Sequence, residues 1–311
     1  MLEPLRAAQV LTLFLLPALA PAAAPALDAF GIAQLAPSKP GGIVWAATAW
    51  SKAPRAFTGQ DPADPWFDCG HGEASYTVDG QGTLDAKGPI VRMYVHAPDR
   101  STEWGPDLEV TVYVTRLGED RRVSYSGPQI FARTNHGTYT GRYGSELQTL
   151  CDDRGLGAKV NLNGTFAFEK ETDHHSPNGY ATAGAVKRWA DGWPLDKTVG
   201  LKYLVRDVLD GTGKPVAVKL ELWCDETGGA QGGHWEKVTE FTDDGTDLGV
   251  GSSPCAPGVD PALMSLRPLM LPDSETKRPQ LSVYFRHEYG EMAYQRASVR
   301  EVLPLRLEKA P

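Results

Sequence analysis

Two short stretches hold most of the side chains able to do chemistry. The first, G-P-Q-I-F-A-R-T-N-H-G at residues 127–137, spaces Gln129, Phe131 and Arg133 two apart. On an extended strand that spacing projects an amide and a guanidinium from one face about 13 Å apart, a pair suited to the carboxylate of a uronate. His136 falls on the opposite face if the strand runs on, and joins the pair if Asn135–Gly137 turns, as Asn and Gly permit. The alternative is an exposed polar strand end. The second stretch, F-E-K-E-T-D-H-H-S-P at 168–177, is dense in ionisable and hydroxyl groups, which marks a site or a solvated loop. Glu171, His174 and His175 are its informative members: a histidine oriented by a carboxylate serves as a general base near neutral pH. Glu171, Asp173, His174 and His175 also offer metal-ligating atoms, but without an H-E-x-x-H type spacing.

Strands must position these groups. Period-two alternation recurs at Ile90–His96, Glu109–Arg116, Lys159–Glu169, Val199–Val208, Pro215–Trp223, Leu281–Arg286 and Ala293–Leu303. In the run 159–169, Val160, Leu162, Phe166 and Phe168 share one face and Lys159, Asn161, Asn163, Thr165 and Glu169 the other, as a half-buried antiparallel strand requires. D-G-T-G-K-P at 210–215 predicts a hairpin between two of the runs. Arg92, Tyr94 and His96 alternate onto one face, the floor of a groove or the polar side of an edge strand. Only Asp260–Leu269 reads as a short helix. With 33 Gly and 24 Pro separating these runs, the chain reads as all-β.

The 311 residues, 41% hydrophobic and 23% charged, suffice for a sizeable core. Lys plus Arg number 31 against 39 acidic residues, a formal charge of −8, which lacks the basic excess that nucleic acid demands. Residues 1–24, with an apolar run from Ala7 to Ala20, read as a secretory signal peptide too short to span a bilayer. Residues 25–42 read as an Ala/Pro/Gly-rich linker or arm, and 43–311 as a single β-sandwich domain. No span remains after signal removal, so the expectation is a secreted monomer, extracellular or periplasmic. Four cysteines in an exported chain imply two disulfides, Cys69 with Cys151 and Cys224 with Cys255 in the favoured pairing. N-G-T at Asn163 matches a glycosylation acceptor.

The succession V-G-L-K-Y-L-V (199–205), V-K-L-E-L-W-C-D-E (218–226), H-W-E-K-V (234–238) and Y-Q-R-A-S-V-R-E-V (294–302) resembles the back half of concanavalin A-like lectin/glucanase jelly rolls. The resemblance implies a β-jelly roll sandwich of two antiparallel sheets that binds or cleaves polysaccharide. Q-I-F at 129–131 and Y-F-R at 284–286, with Tyr294 and Gln295 beyond, are similar to motifs of the polysaccharide-lyase branch, with Phe131 where that branch carries His. The E-x-D-x-x-E of the glucanases is absent. On a lyase reading, Arg133 with Gln129 neutralises the uronate, His136, His174 or His175 takes the C5 proton, and Tyr143, Tyr139 or Tyr284 protonates the leaving oxygen. Lys170, Glu171, Arg142 and Trp235 complete the substrate-binding set, with Arg133, Lys170, Arg142 and Arg154 forming a local basic patch and Trp235 stacking on a sugar. No cofactor is required; Asp243, Asp244 and Asp247 in an acidic turn could hold a structural calcium ion. The alternatives are a noncatalytic carbohydrate-binding module and a glycoside hydrolase.

Overall fold

The computed structural model describes residues 25–70, 72–98, 104–123, 125–134, 136, 155–171, 179–246, 248 and 281–307. Its strands are β1 (Val44–Ala46), β2 (Arg55–Phe57), β3 (Gln60–Asp61), β4 (Asp64–Asp68), β5 (Glu73–Val78), β6 (Thr83–Val95), β7 (Leu108–Glu119) and β8 (Gln129–Thr134). There follow β9 (Gly155–Val160), β10 (Thr165–Glu171), β11 (Tyr180–Lys187), β12 (Thr198–Leu209), β13 (Pro215–Asp225), β14 (Glu236–Asp243), β15 (Ser282–Glu301) and β16 (Leu305–Arg306).

Hydrogen bonding sorts them into two layers joined by shared strands. The first layer runs β11-β10-β9-β8, then Ser282–Arg286 of β15, then the C-terminal half of β6 and β4. The second runs β14-β13-β12-β7, then Gly290–Glu301 of β15, then the N-terminal half of β6 and β5. All these pairings are antiparallel. The two runs read from sequence as Leu281–Arg286 and Ala293–Leu303 are thus one 20-residue strand, β15, that passes from one layer to the other.

The bend that makes this passage lies at Tyr289, which has φ 54°. His287 is wedged beside it, fully buried. Its Nδ1 accepts from the Tyr294 hydroxyl at 2.6 Å, and its Nε2–H donates to the Gly290 carbonyl at 3.2 Å. Burial pushes the pKa of this imidazole down to about 3.

Between the layers lies one core of aliphatic and aromatic side chains, each fully buried Val, Leu, Ile, Phe or Met contributing about 1.5–3 kcal/mol. Phe168 of β10 meets Tyr203 of β12 across the gap, ring centres 6.2 Å apart. The edges also approach, Thr239 Oγ1 of β14 donating to the Gly184 carbonyl of β11 at 2.7 Å.

The single strand expected over 159–169 is a hairpin, β9 and β10. Gly164 takes φ 87° and Asn163 Oδ1 accepts from the Thr165 N–H at 2.9 Å. Val160 pairs with Phe166 across it, so the anticipated apolar face survives the turn. The hairpin expected at 210–215 forms, with Asp210 Oδ1 accepting from the N–H groups of Thr212 (2.8 Å) and Lys214 (3.0 Å).

Residues 25–42 are laid over the second layer. The N–H groups of Leu35 and Ala36 donate to the buried carboxylate of Glu109, which also accepts from Lys202 and Arg300. Cys69 and Cys224 are buried free thiols, and burial pushes the Cys224 thiol up to about 12. Their expected partners, Cys151 and Cys255, lie outside the described residues, as do residues 1–24 and the helix expected at 260–269.

Candidate functional site

The outer face of the first layer carries an unusual row of side chains. Ile130, Ala132, Val283 and Phe285 point into the core, so their neighbours point outward. Adjacent strands place Gly157, Phe131, Tyr284, Tyr94 and Asp68 side by side. The Phe131 and Tyr284 rings stack at 4.9 Å, and Tyr284 lies 5.1 Å from Tyr94. Glycine at 157 is what permits this: a Cβ there would stand 2.6 Å from the Phe131 ring. The next row holds Lys159, Gln129, Arg286 and Arg92. Arg286 and Arg92 both donate to Glu288 Oε1, at 2.6 and 2.9 Å.

At one end of the aromatic row, His136 Nε2 bonds Glu171 Oε2 at 2.8 Å, both side chains 1% exposed. The imidazole sits 4.8 Å from the Tyr284 ring. Tyr180, opposite Glu171 on β11, hydrogen-bonds the same carboxylate; burial and that carboxylate raise its phenol pKa. At the other end, His96 Nε2 approaches Asp68 Oδ2 at 3.6 Å.

Burial works against the charge on Arg286, but the neighbouring carboxylates of Glu288 and Glu171 act against it, its pKa is raised, and it stays a cation. Burial also raises the Tyr284 phenol, against the opposing pull of His136 and Arg286, so Tyr284 keeps its proton. Gln129 is buried; its amide donates to the Tyr125 carbonyl at 3.0 Å, while Oε1 has no hydrogen-bond partner among the described residues. The Nε atoms of Arg92 and Arg286 on this face likewise lack a partner among the described residues. Buried polar atoms in that state call for a polar ligand or water.

The two stretches singled out in the sequence therefore meet through His136 and Glu171. The segment turns at His136, whose N–H donates to Thr134 Oγ1 at 3.1 Å, and the ring thereby reaches the face that Gln129 and Phe131 share. Arg133 departs from that face. A register shift in the pairing with β15, and φ 50° at Arg133, turn the guanidinium to the Pro106 carbonyl (2.6 Å) and Asp207 (2.9 Å). Lys170, adjacent to Glu171, points the opposite way, into the space between the layers, where it meets Asp243. Trp235 belongs to the second layer, packed on Tyr113 with Lys202 Nζ 4.6 Å from its ring centre. Tyr139, Arg142, Tyr143, Arg154, His174 and His175 lie outside the described residues.

Arg92, Tyr94 and His96 share the outer face of β6, each of them buried. Glu288, Asp68 and Tyr180 are additional members. The alternation Tyr284, Arg286, Glu288 carried a signal for the first of these, since it continues the outward face of β15. Asp68 and Tyr180 had none, because only cross-strand pairing brings them in. In the acidic turn, Asp243 faces Lys170 and Asp244 Oδ1 accepts from the Thr246 N–H at 3.0 Å, while Asp247 lies outside the described residues. Among the described residues no cluster of His, Cys, Asp and Glu suits a metal ion, and no helix is long and apolar enough to cross a membrane.

The architecture of the described residues is an all-β sandwich of two antiparallel layers. Among solved structures it is similar to a protein of unknown function with a galectin-like fold from Bacillus subtilis (12% identity, 81% of this chain and 97% of that one, TM-score 0.42). It is similar also to the Ca2+-bound exoplasmic/lumenal domain of VIP36 (8%, 80% and 90%, TM-score 0.44) and to lectin II from Ulex europaeus (10%, 80% and 98%, TM-score 0.38). No family model and no curated protein matches the sequence.

Proposed function

We propose that this chain is a carbohydrate-binding protein whose ligand is an acidic, uronate-containing polysaccharide, taken up on the outer face of the first layer. The observation that carries the reading is the convergence of Arg92 and Arg286 on the single carboxylate of Glu288, beside the Phe131–Tyr284–Tyr94 row. Two guanidiniums share that one carboxylate in the middle of the face, with the further carboxylates of Glu171 and Asp68 at the two ends of the row. Guanidinium forks suit carboxylates, and the buried Phe131, Tyr284 and Tyr94 rings pack as a rigid row beside them. Tyr180, 40% exposed and bonded to Glu171, is the member of this set that solvent reaches most. Export through residues 1–24, a single domain over 43–311 and a monomeric state belong to the same reading.

A second reading, β-elimination, is favoured by one observation: His136, held by Glu171, and the protonated Tyr284 are neighbours, with Arg286 beside the phenol. In that chemistry His136 takes the C5 proton, Arg286 steadies the carboxylate whose charge grows, and Tyr284 protonates the leaving oxygen.

Affinity electrophoresis through gels holding alginate, glucuronan, pectate or a neutral glucan tests the binding reading. Retardation by an acidic polysaccharide and free passage through the neutral one is expected; free passage through all four overturns it. The same polymers, followed for the ultraviolet absorbance of an unsaturated uronyl product, separate the readings: a rise supports the lyase, and a flat trace with retained binding excludes it.

A further inference from the structure

Lys170 on β10 and Asp243 at the end of β14 meet inside the sandwich, both side chains 0% exposed. Nζ donates to Asp243 Oδ2 at 2.8 Å and to the Leu248 carbonyl at 3.1 Å. The other carboxylate oxygen, Oδ1, accepts from the Gly245 N–H at 3.0 Å. Holding two full charges out of water costs several kcal/mol per ion, and one short contact offsets that only in part.

The same geometry is that of an amine poised on a carboxyl group. The Leu248 carbonyl orients the amine, the Gly245 N–H stands at the oxygen that remains when the other leaves, and water is excluded. We propose that Lys170 Nζ and Asp243 Cγ condense into an intramolecular amide, a covalent cross-link from β10 to β14. One ammonium proton passes to Oδ2, giving a neutral amine and a neutral acid. Nζ then attacks Cγ, and the negative charge that gathers on Oδ1 is met by the Gly245 N–H. A second proton moves from Nζ to Oδ2, the Cγ–Oδ2 bond breaks, and one water departs. No oxidant or co-reactant enters, and one neutral amide replaces two buried charges. Burial raises the pKa of the Asp243 carboxyl, which eases the first proton shift.

Peptide mass mapping of the purified, reduced full-length protein tests this. The expected result is a branched species, a Lys170-containing peptide joined to an Asp243-containing peptide at their summed mass less one water, with trypsin unable to cut after Lys170. Lys170→Met and Asp243→Ala should each abolish it. Recovery of the two wild-type peptides as separate, unmodified species overturns the proposal, and that result does not depend on whether either variant folds. A linked fraction that appears in folded protein and is missing from a chain kept denatured supports it.

Discussion

Acidification should find the fold's weakest point at the bend of β15. His287 is fully buried there, neutral, with Tyr294 and Gly290 as its partners. Its pKa is depressed to about 3, against about 6.5 in the unfolded chain. A depressed histidine favours the native state fully above the unfolded pKa, and that advantage drains away as pH falls from about 6.5 towards 3, because only the unfolded chain then takes up the proton. At 1.36 kcal/mol per unit, lowering the pH from 7 to 5 removes about 2 kcal/mol, and the loss reaches about 4 kcal/mol near pH 3. Urea unfolding of wild type and His287→Gln at pH 7 and pH 5 reads the difference. The variant loses some stability at both pH values, but the wild type should fall about 2 kcal/mol further between them. Carboxylates shared by both proteins cancel in that comparison. Equal losses would refute the reasoning, since they would mean that His287 takes a proton in the native state as readily as in the unfolded chain.

Other expectations follow from single contacts. Gly157→Ala places a methyl 2.6 Å from the Phe131 ring, so it should cost about 1–3 kcal/mol in thermal unfolding and weaken glycan binding with it. Asp107, raised to about 6 mainly by burial against the pull of the Asp207 N–H and Arg133, penalises the native state at neutral pH. Asp107→Asn should therefore gain on the order of 1–3 kcal/mol at pH 7, a gain that fades as pH falls through about 6 towards 4; a pH-independent difference would contradict this. Glu171→Ala removes the carboxylate to which His136 and Tyr180 bond, and should cost about 3–5 kcal/mol in chemical denaturation. Glu171→Gln, which keeps an acceptor, should cost clearly less.

Alternation made most of the sandwich readable. Where a run had one apolar and one polar face, as in 199–208 or 215–223, a strand stands there, lengthened by a residue or more at its ends. What alternation could not give was a change of layer. Nothing in the period of 281–303 distinguishes two strands from one that bends, since the bend at Tyr289 keeps the pairing with β6 in step on both sides. The turn inside 159–169 was written as Asn163–Gly164, a strong hairpin signal masked by the persistence of the apolar face and by the overlapping N-G-T. Around the aromatic row, Gln129 lies on the face that its spacing from Phe131 implied, Glu171 was marked by the density of ionisable groups around it, and His136 meets it after the turn its neighbours allowed. Arg133 escaped because a β-bulge re-aims a side chain without leaving a mark in composition. Lys170 escaped for a simpler reason: adjacent residues on a strand face opposite ways, so only one of Lys170 and Glu171 could join the site.

The central claim is that the face around Arg286 recognises carboxylate-bearing sugars. Calorimetric titration of wild type and Arg286→Ala with an acidic oligosaccharide and a neutral one of equal length tests it most directly, with circular dichroism confirming that the variant keeps its strands. Binding of the acidic sugar alone is expected, weakened by about tenfold or more in the variant, the loss of roughly one charge-assisted contact. Equal affinity for both sugars, or an acidic sugar bound equally well without the Arg286 guanidinium, would contradict it.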